Sequence, residues 1–110
     1  MKTLFEIPAT PVVPVRGEAA GYPVHRIFGV GRNYAEHAAE MGYEVDREAP
    51  FYFTKPASAI VASGSVIPYP PGTSNFHSEM ELVVATGKPA FRVSVEAASA
   101  CLLGCAAGLD

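Results

Sequence analysis

Apolar residues along this chain come in short runs broken by proline and glycine, a pattern of strands rather than of long helices. Residues 1–24 carry Pro8, Pro11 and Pro14 and read as an extended N-terminal arm or edge strand. "HRIFGVG" (25–31) predicts a short buried strand with glycines at its exit. Asn33 is placed to cap a helix, "YAEHAAEMG" (34–42), which Gly42 closes. A polar loop then leads to an aromatic strand, "FYFT" (51–54). Pro56 and "ASG" (62–64) mark turns, and the proline-rich "VIPYPPGTSN" (66–75) runs into a strand over 77–86. After a turn at Gly87 and Lys88, Ser94 caps a short helix, "VEAASACLL" (95–103), and "GCAAGLD" (104–110) is a small-residue strand or turn. The expectation is an α+β fold, strand-dominated, with two short helices.

Within that pattern one stretch stands apart. In "NFHSEMELVV" (75–84), side chains on a strand alternate between faces, so His77, Glu79 and Glu81 share one face and Ser78, Met80, Leu82 and Val84 take the other. The apolar "LVVA" that follows predicts that this strand runs into a core. Two neighbouring carboxylates repel each other, which calls for a compensating cation or open water. Hard oxygen donors at i and i+2 suit Mg²⁺ or Mn²⁺ better than zinc, because no cysteine and one histidine lie nearby. A solvated edge strand with alternating charges is the plainer alternative.

Composition narrows the setting. A chain of 110 residues with 49% hydrophobic residues suits one small folded domain. A net charge of −3 offers no basic stripe for nucleic acid. Cys101 and Cys105 lie among Ala, Leu and Gly and read as buried reduced thiols, with no second ligand pair to make a metal site of them. Prolines interrupt the N-terminus where a secretion signal needs an unbroken apolar core, and Ala97–Leu109 is shorter than the ~20 residues of a spanning helix. The expectation is a cytoplasmic protein with neither a nucleic-acid nor a membrane partner.

Three further signals are individually weak. "GVGRNY" follows a strand and precedes a helix, but Tyr34 occupies the place of the third glycine of a dinucleotide fingerprint. On the predicted 34–42 helix, His37 and Glu40 are three apart, so the carboxylate can orient the imidazole; an ordinary surface pair has the same spacing. Lys55, ending the aromatic strand, is either a positioned cation or a lysine whose stem packs on the surface.

Taken together, "VGRNYAEHAAEMG" (30–42), "PFYFTKPASA" (50–59), "YPPGTSNFHSEMELVVATGK" (69–88) and "GLD" (108–110) resemble the fumarylacetoacetate hydrolase superfamily in its Mg²⁺-dependent acylpyruvate hydrolase branch. The leader through "YPVHRIFGVGRNY" looks most like the fumarylpyruvate hydrolases of gentisate breakdown. The resemblance implies a mixed β-roll of that type with short helices, apparently truncated. Residues 1–24 would form the arm, and 25–110 the N-terminal half of the catalytic domain.

It further implies Glu79, Glu81 and Asp110 as ligands of Mg²⁺ or Mn²⁺, His37 and Glu40 as a base and its orienting partner, and Lys55 as a cation near developing negative charge. His77 becomes a substrate contact or an outer partner of the metal, while Ser78 stands where many relatives carry a second histidine. The implied reaction is hydrolysis of a carbon–carbon bond in a 3-acylpyruvate, fumarylpyruvate giving fumarate and pyruvate. Oxaloacetate decarboxylation or keto–enol isomerisation on the same scaffold, or an inactive truncated fragment, are the alternatives, and residues 1–110 alone are expected to be inactive. The implied partners are a small-molecule 2-oxo acid and, at full length, a second copy in a homodimer.

Overall fold

The computed structural model describes residues 1–31 and 49–110. It divides into two compact units, Met1–Val66 and Ile67–Asp110. The helix expected over 34–42, with its Asn33 cap, lies outside the described residues.

In the first unit the proline-rich arm folds back on itself. Strands β1 (Val12–Val13) and β2 (Tyr22–Pro23) pair antiparallel, with Val12 opposite Pro23 and Val13 opposite Tyr22. Proline has no N–H to donate, which keeps such a ladder short. The Val24 N–H extends it by donating to the Pro11 carbonyl at 2.8 Å. Val24 is the one buried apolar residue among those described.

Strand β3 (Ile27–Gly31) pairs antiparallel with β4 (Phe51–Lys55), placing Gly29 opposite Phe53 and Gly31 opposite Phe51. Both rings lie over the glycines they face, 6.3 Å apart between centroids, and a Cβ added at either glycine would overlap ring atoms. The glycines at the strand exit are therefore part of its packing: each supplies the floor on which a cross-strand ring rests. Gly29→Ala is expected to destabilise the protein by about 1–3 kcal/mol through overpacking. A urea titration followed by circular dichroism checks this, and an unchanged midpoint would contradict the ring-on-glycine account.

In the second unit, β5 (Met80–Thr86) and β6 (Leu102–Leu109) form an antiparallel ribbon, with an irregularity between Ala85 and Thr86. They are joined by helix α1 (Val95–Ala98) and a 3₁₀ turn, Ser99–Cys101. Ser94 caps α1 as its position predicts, its hydroxyl oxygen accepting the Ala97 N–H at 3.1 Å. The helix stops earlier than "VEAASACLL" suggests, because Leu102 pairs with Thr86 and is drawn into β6. "GCAAGLD" is strand as far as Leu109.

Three expectations about burial are corrected, the first being β3, where Phe28 and Val30 are 60% and 46% exposed on a strand expected to be buried. Among the described residues the apolar face of β5 does not run into a core: Met80 and Leu82 are 70% and 65% exposed. A two-stranded ribbon has no second layer on which to bury that face. Cys101 is only half-buried and Cys105 is exposed, both as free thiols. Strand-rich architecture with short helices is what the described residues show, in three separate antiparallel pairs.

Candidate metal centre

The β5–β6 register brings together carboxylates that are far apart in sequence. Just before β5, the Glu79 N–H donates to the Asp110 carbonyl at 2.8 Å, and the Asp110 N–H returns a bond to the Glu79 carbonyl at 2.9 Å. Residues that exchange both bonds stand directly opposite and project to the same face. Two steps along β5, Glu81 faces Gly108 and projects to that face as well. The ligand face thus carries Glu79, Glu81 and Asp110 at one end of the ribbon.

Carboxylate oxygens of these three residues lie within 4.8 Å of one another. Glu79 and Asp110 are exposed and Glu81 is half-buried. Their separation is shorter than the ~8 Å over which physiological salt screens charge, so salt alone does not screen the three groups from one another. Oxygen-only donors, converging and partly open to solvent, fit Mg²⁺ or Mn²⁺, which keep free positions for water or a substrate. Sulfur and nitrogen, which zinc prefers, are not part of the trio.

The far end of the ribbon is closed separately. Gly87 and Lys88 N–H groups both donate to the Cys101 carbonyl, at 2.7 and 3.3 Å. On the approach to β5 the loop folds on itself: the Phe76 N–H donates to the Tyr69 hydroxyl at 3.1 Å, and their rings meet edge to face with centroids 5.6 Å apart. Gly72 turns that loop with φ of 82°. This Tyr69–Phe76 contact was not expected from the sequence, although aromatics on both sides of "PPGTSN" are the signal that could have found it.

The other expected site residues fall out as follows. His77 lies in the loop ahead of the Glu79–Asp110 bonds, so the alternation that aligns Glu79 with Glu81 does not carry back to it through the ladder. Lys55 ends β4 opposite Ile27, on the face that also carries Phe51 and Phe53, in the first unit. His37 and Glu40 lie outside the described residues. No helix among the described residues is long and apolar enough to cross a membrane.

Comparison with known proteins points the same way as the trio. The family described as fumarylacetoacetate (FAA) hydrolase, C-terminal, matches residues 26–110. A fumarylpyruvate hydrolase of Ralstonia sp. is 56% identical over 72 residues, covering 64% of this chain and 38% of that protein. A mitochondrial oxaloacetate tautomerase of Caenorhabditis elegans is 38% identical over 85 residues, 77% of this chain and 39% of its own length. The crystal structure of fumarylpyruvate hydrolase from Pseudomonas aeruginosa in complex with Mn²⁺ and pyruvate superposes with a TM-score of 0.88 at 44% identity, covering 99% of this chain and 48% of that one. The chain therefore spans less than half the length of each of these relatives.

Proposed function

We infer that this chain, which belongs to the fumarylacetoacetate hydrolase family, provides the metal-holding part of an enzyme that hydrolyses a carbon–carbon bond in a 3-acylpyruvate, fumarylpyruvate first among them. The observation that carries the reading is the convergence of Glu79, Glu81 and Asp110 within 4.8 Å on one strand face. The Ralstonia relative and the Mn²⁺ and pyruvate complex from Pseudomonas support the substrate class and the divalent ion.

Mg²⁺ or Mn²⁺ held there would supply Lewis acidity toward such a substrate, whose carboxylate and 2-oxo oxygens are adjacent. The three carboxylates would offset its charge and fix its place. His37, oriented by Glu40, takes a proton from the water that attacks the distal carbonyl carbon. Lys55 sets a positive charge against the negative charge that develops as the carbon–carbon bond breaks. His77 contacts the substrate or steadies a ligand from outside. These four roles rest on the resemblance. The whole protein is read as a mixed β-roll, with residues 25–110 as the first half of its catalytic domain, acting as a cytoplasmic homodimer on small-molecule 2-oxo acids.

The Caenorhabditis relative supports a second reading, tautomerisation of oxaloacetate, since both reactions pass through the enol form of a 2-oxo acid. One assay separates them. With Mn²⁺ present, a full-length protein containing this chain is expected to bleach the enol absorbance of fumarylpyruvate and release pyruvate, and a chelator is expected to stop it, whereas residues 1–110 alone are expected to be inactive. Interconversion of oxaloacetate tautomers with no pyruvate released from fumarylpyruvate would favour the second reading. Equal turnover with and without chelator would remove the metal from both.

A further inference from the structure

Glu79 and Asp110 face each other across the ribbon, and two residues along each strand Glu81 and Gly108 do the same. These positions are the four corners of a square on one face of the sheet. Three corners carry carboxylates and the fourth carries no side chain. That corner is already taken: a Cβ added at Gly108 would lie 2.7 Å from Cγ2 of Val83. Val83 is the next residue after Glu81 on the same face, and its methyl leans over Gly108. A side chain at 108 must therefore push on Val83, on the backbone, or on Glu81 directly opposite. Gly104, further along the same face opposite Ala85, has nothing within 4 Å of an added Cβ.

We propose that Gly108 is a positioning residue of the carboxylate trio. By ceding the fourth corner to the Val83 methyl, it lets the Glu81 carboxylate settle beside those of Glu79 and Asp110. The inference rests on the metal reading of the trio and adds the requirement that makes the three side chains converge. Small size at 108 is then a demand of the ion's geometry and separate from the needs of strand pairing.

Mn²⁺ affinity of the full chain, measured from the free-ion electron paramagnetic resonance signal, is the test, with thermal unfolding followed in parallel. Gly108→Ala is expected to lose about tenfold or more in affinity while still folded, as outer supports of metal ligands typically do. Adding Val83→Ala removes the obstructing methyl and is expected to restore most of that loss. Gly104→Ala, on the same face with open space above it, should bind as the unmodified chain does.

A Gly108→Ala protein that melts earlier yet binds Mn²⁺ unchanged would assign the glycine to folding alone and overturn the proposal. So would a loss that Val83→Ala fails to relieve, an equal loss in Gly104→Ala, or failure of both Gly108 variants to fold. Should Gly108→Ala alone not fold, the double variant decides, and a folded double variant with weakened binding counts against the proposal. Absence of Mn²⁺ binding by the unmodified chain would bring down the metal reading itself, and this inference with it.

Discussion

Glu81→Ala is expected to lower Mn²⁺ affinity by more than about 100-fold, beyond what loss of an outer partner usually costs. Of the three carboxylates, Glu81 alone is half-buried and lies within the regular ladder. Its removal leaves Glu79 and Asp110 facing each other without the third carboxylate of the trio. Two monodentate carboxylates hold a hard, strongly hydrated ion poorly, because water competes for every remaining position. The substitution should not destabilise the ion-free protein, since it takes away one of three mutually repelling charges and buries nothing new. Glu81→Gln, which keeps the shape and one oxygen but no charge, is expected to fall between alanine and the unmodified chain. Calorimetric titration with Mn²⁺, paired with thermal unfolding in chelator, reads both halves. Unchanged affinity in Glu81→Ala would mean that the convergence of the trio has nothing to do with an ion.

The second large effect concerns turnover alone. His37→Ala is expected to slow acylpyruvate hydrolysis by about 10²–10⁴-fold, the usual worth of a positioned general base, with Mn²⁺ affinity left intact. His37 is an imidazole with the Glu40 carboxylate three residues on along the predicted helix, the spacing at which the one can orient the other. Glu40→Gln should cost less, because it loosens the ring without removing it. Oxaloacetate decarboxylation needs no attacking water, so it should survive His37→Ala better than hydrolysis does. Steady-state rates on both substrates provide the check. Parental hydrolysis rates in both variants would show that this pair has no part in the chemistry.

The features legible in the sequence are those decided within a few residues. Ser94 caps α1 because a hydroxyl there reaches an N–H three residues ahead, a local event that needs no knowledge of the fold. The common face of Glu79 and Glu81 follows from strand alternation alone. Asp110 is different: its place opposite Glu79 depends on the register of two strands separated by a helix and a turn, and only the family resemblance pointed to it. The same non-local pairing ended the helix early, since Leu102 gains a partner in Thr86 that helical periodicity could not foresee. Burial misled for a related reason. "LVVA" has the composition of a core strand, but composition reports a side chain's preference for a covering layer and not whether one lies over it. The glycines of β3 read as punctuation in the sequence, and the Phe51 and Phe53 rings above them became visible only once the strands were paired.

The reciprocal backbone bonds between Glu79 and Asp110 have a thermodynamic corollary. They join residues that carry two of the three carboxylates converging on this face. Breaking these bonds would dismantle the trio, so the paired and unpaired forms differ in affinity for a cation held by it. Linkage then requires that ion occupancy and the Glu79–Asp110 pairing reinforce each other: at 100 times its dissociation constant, a ligand confined to the paired form adds about 2.7 kcal/mol to it. An ion held by the three carboxylates would thus also stabilise the register of β5 against β6.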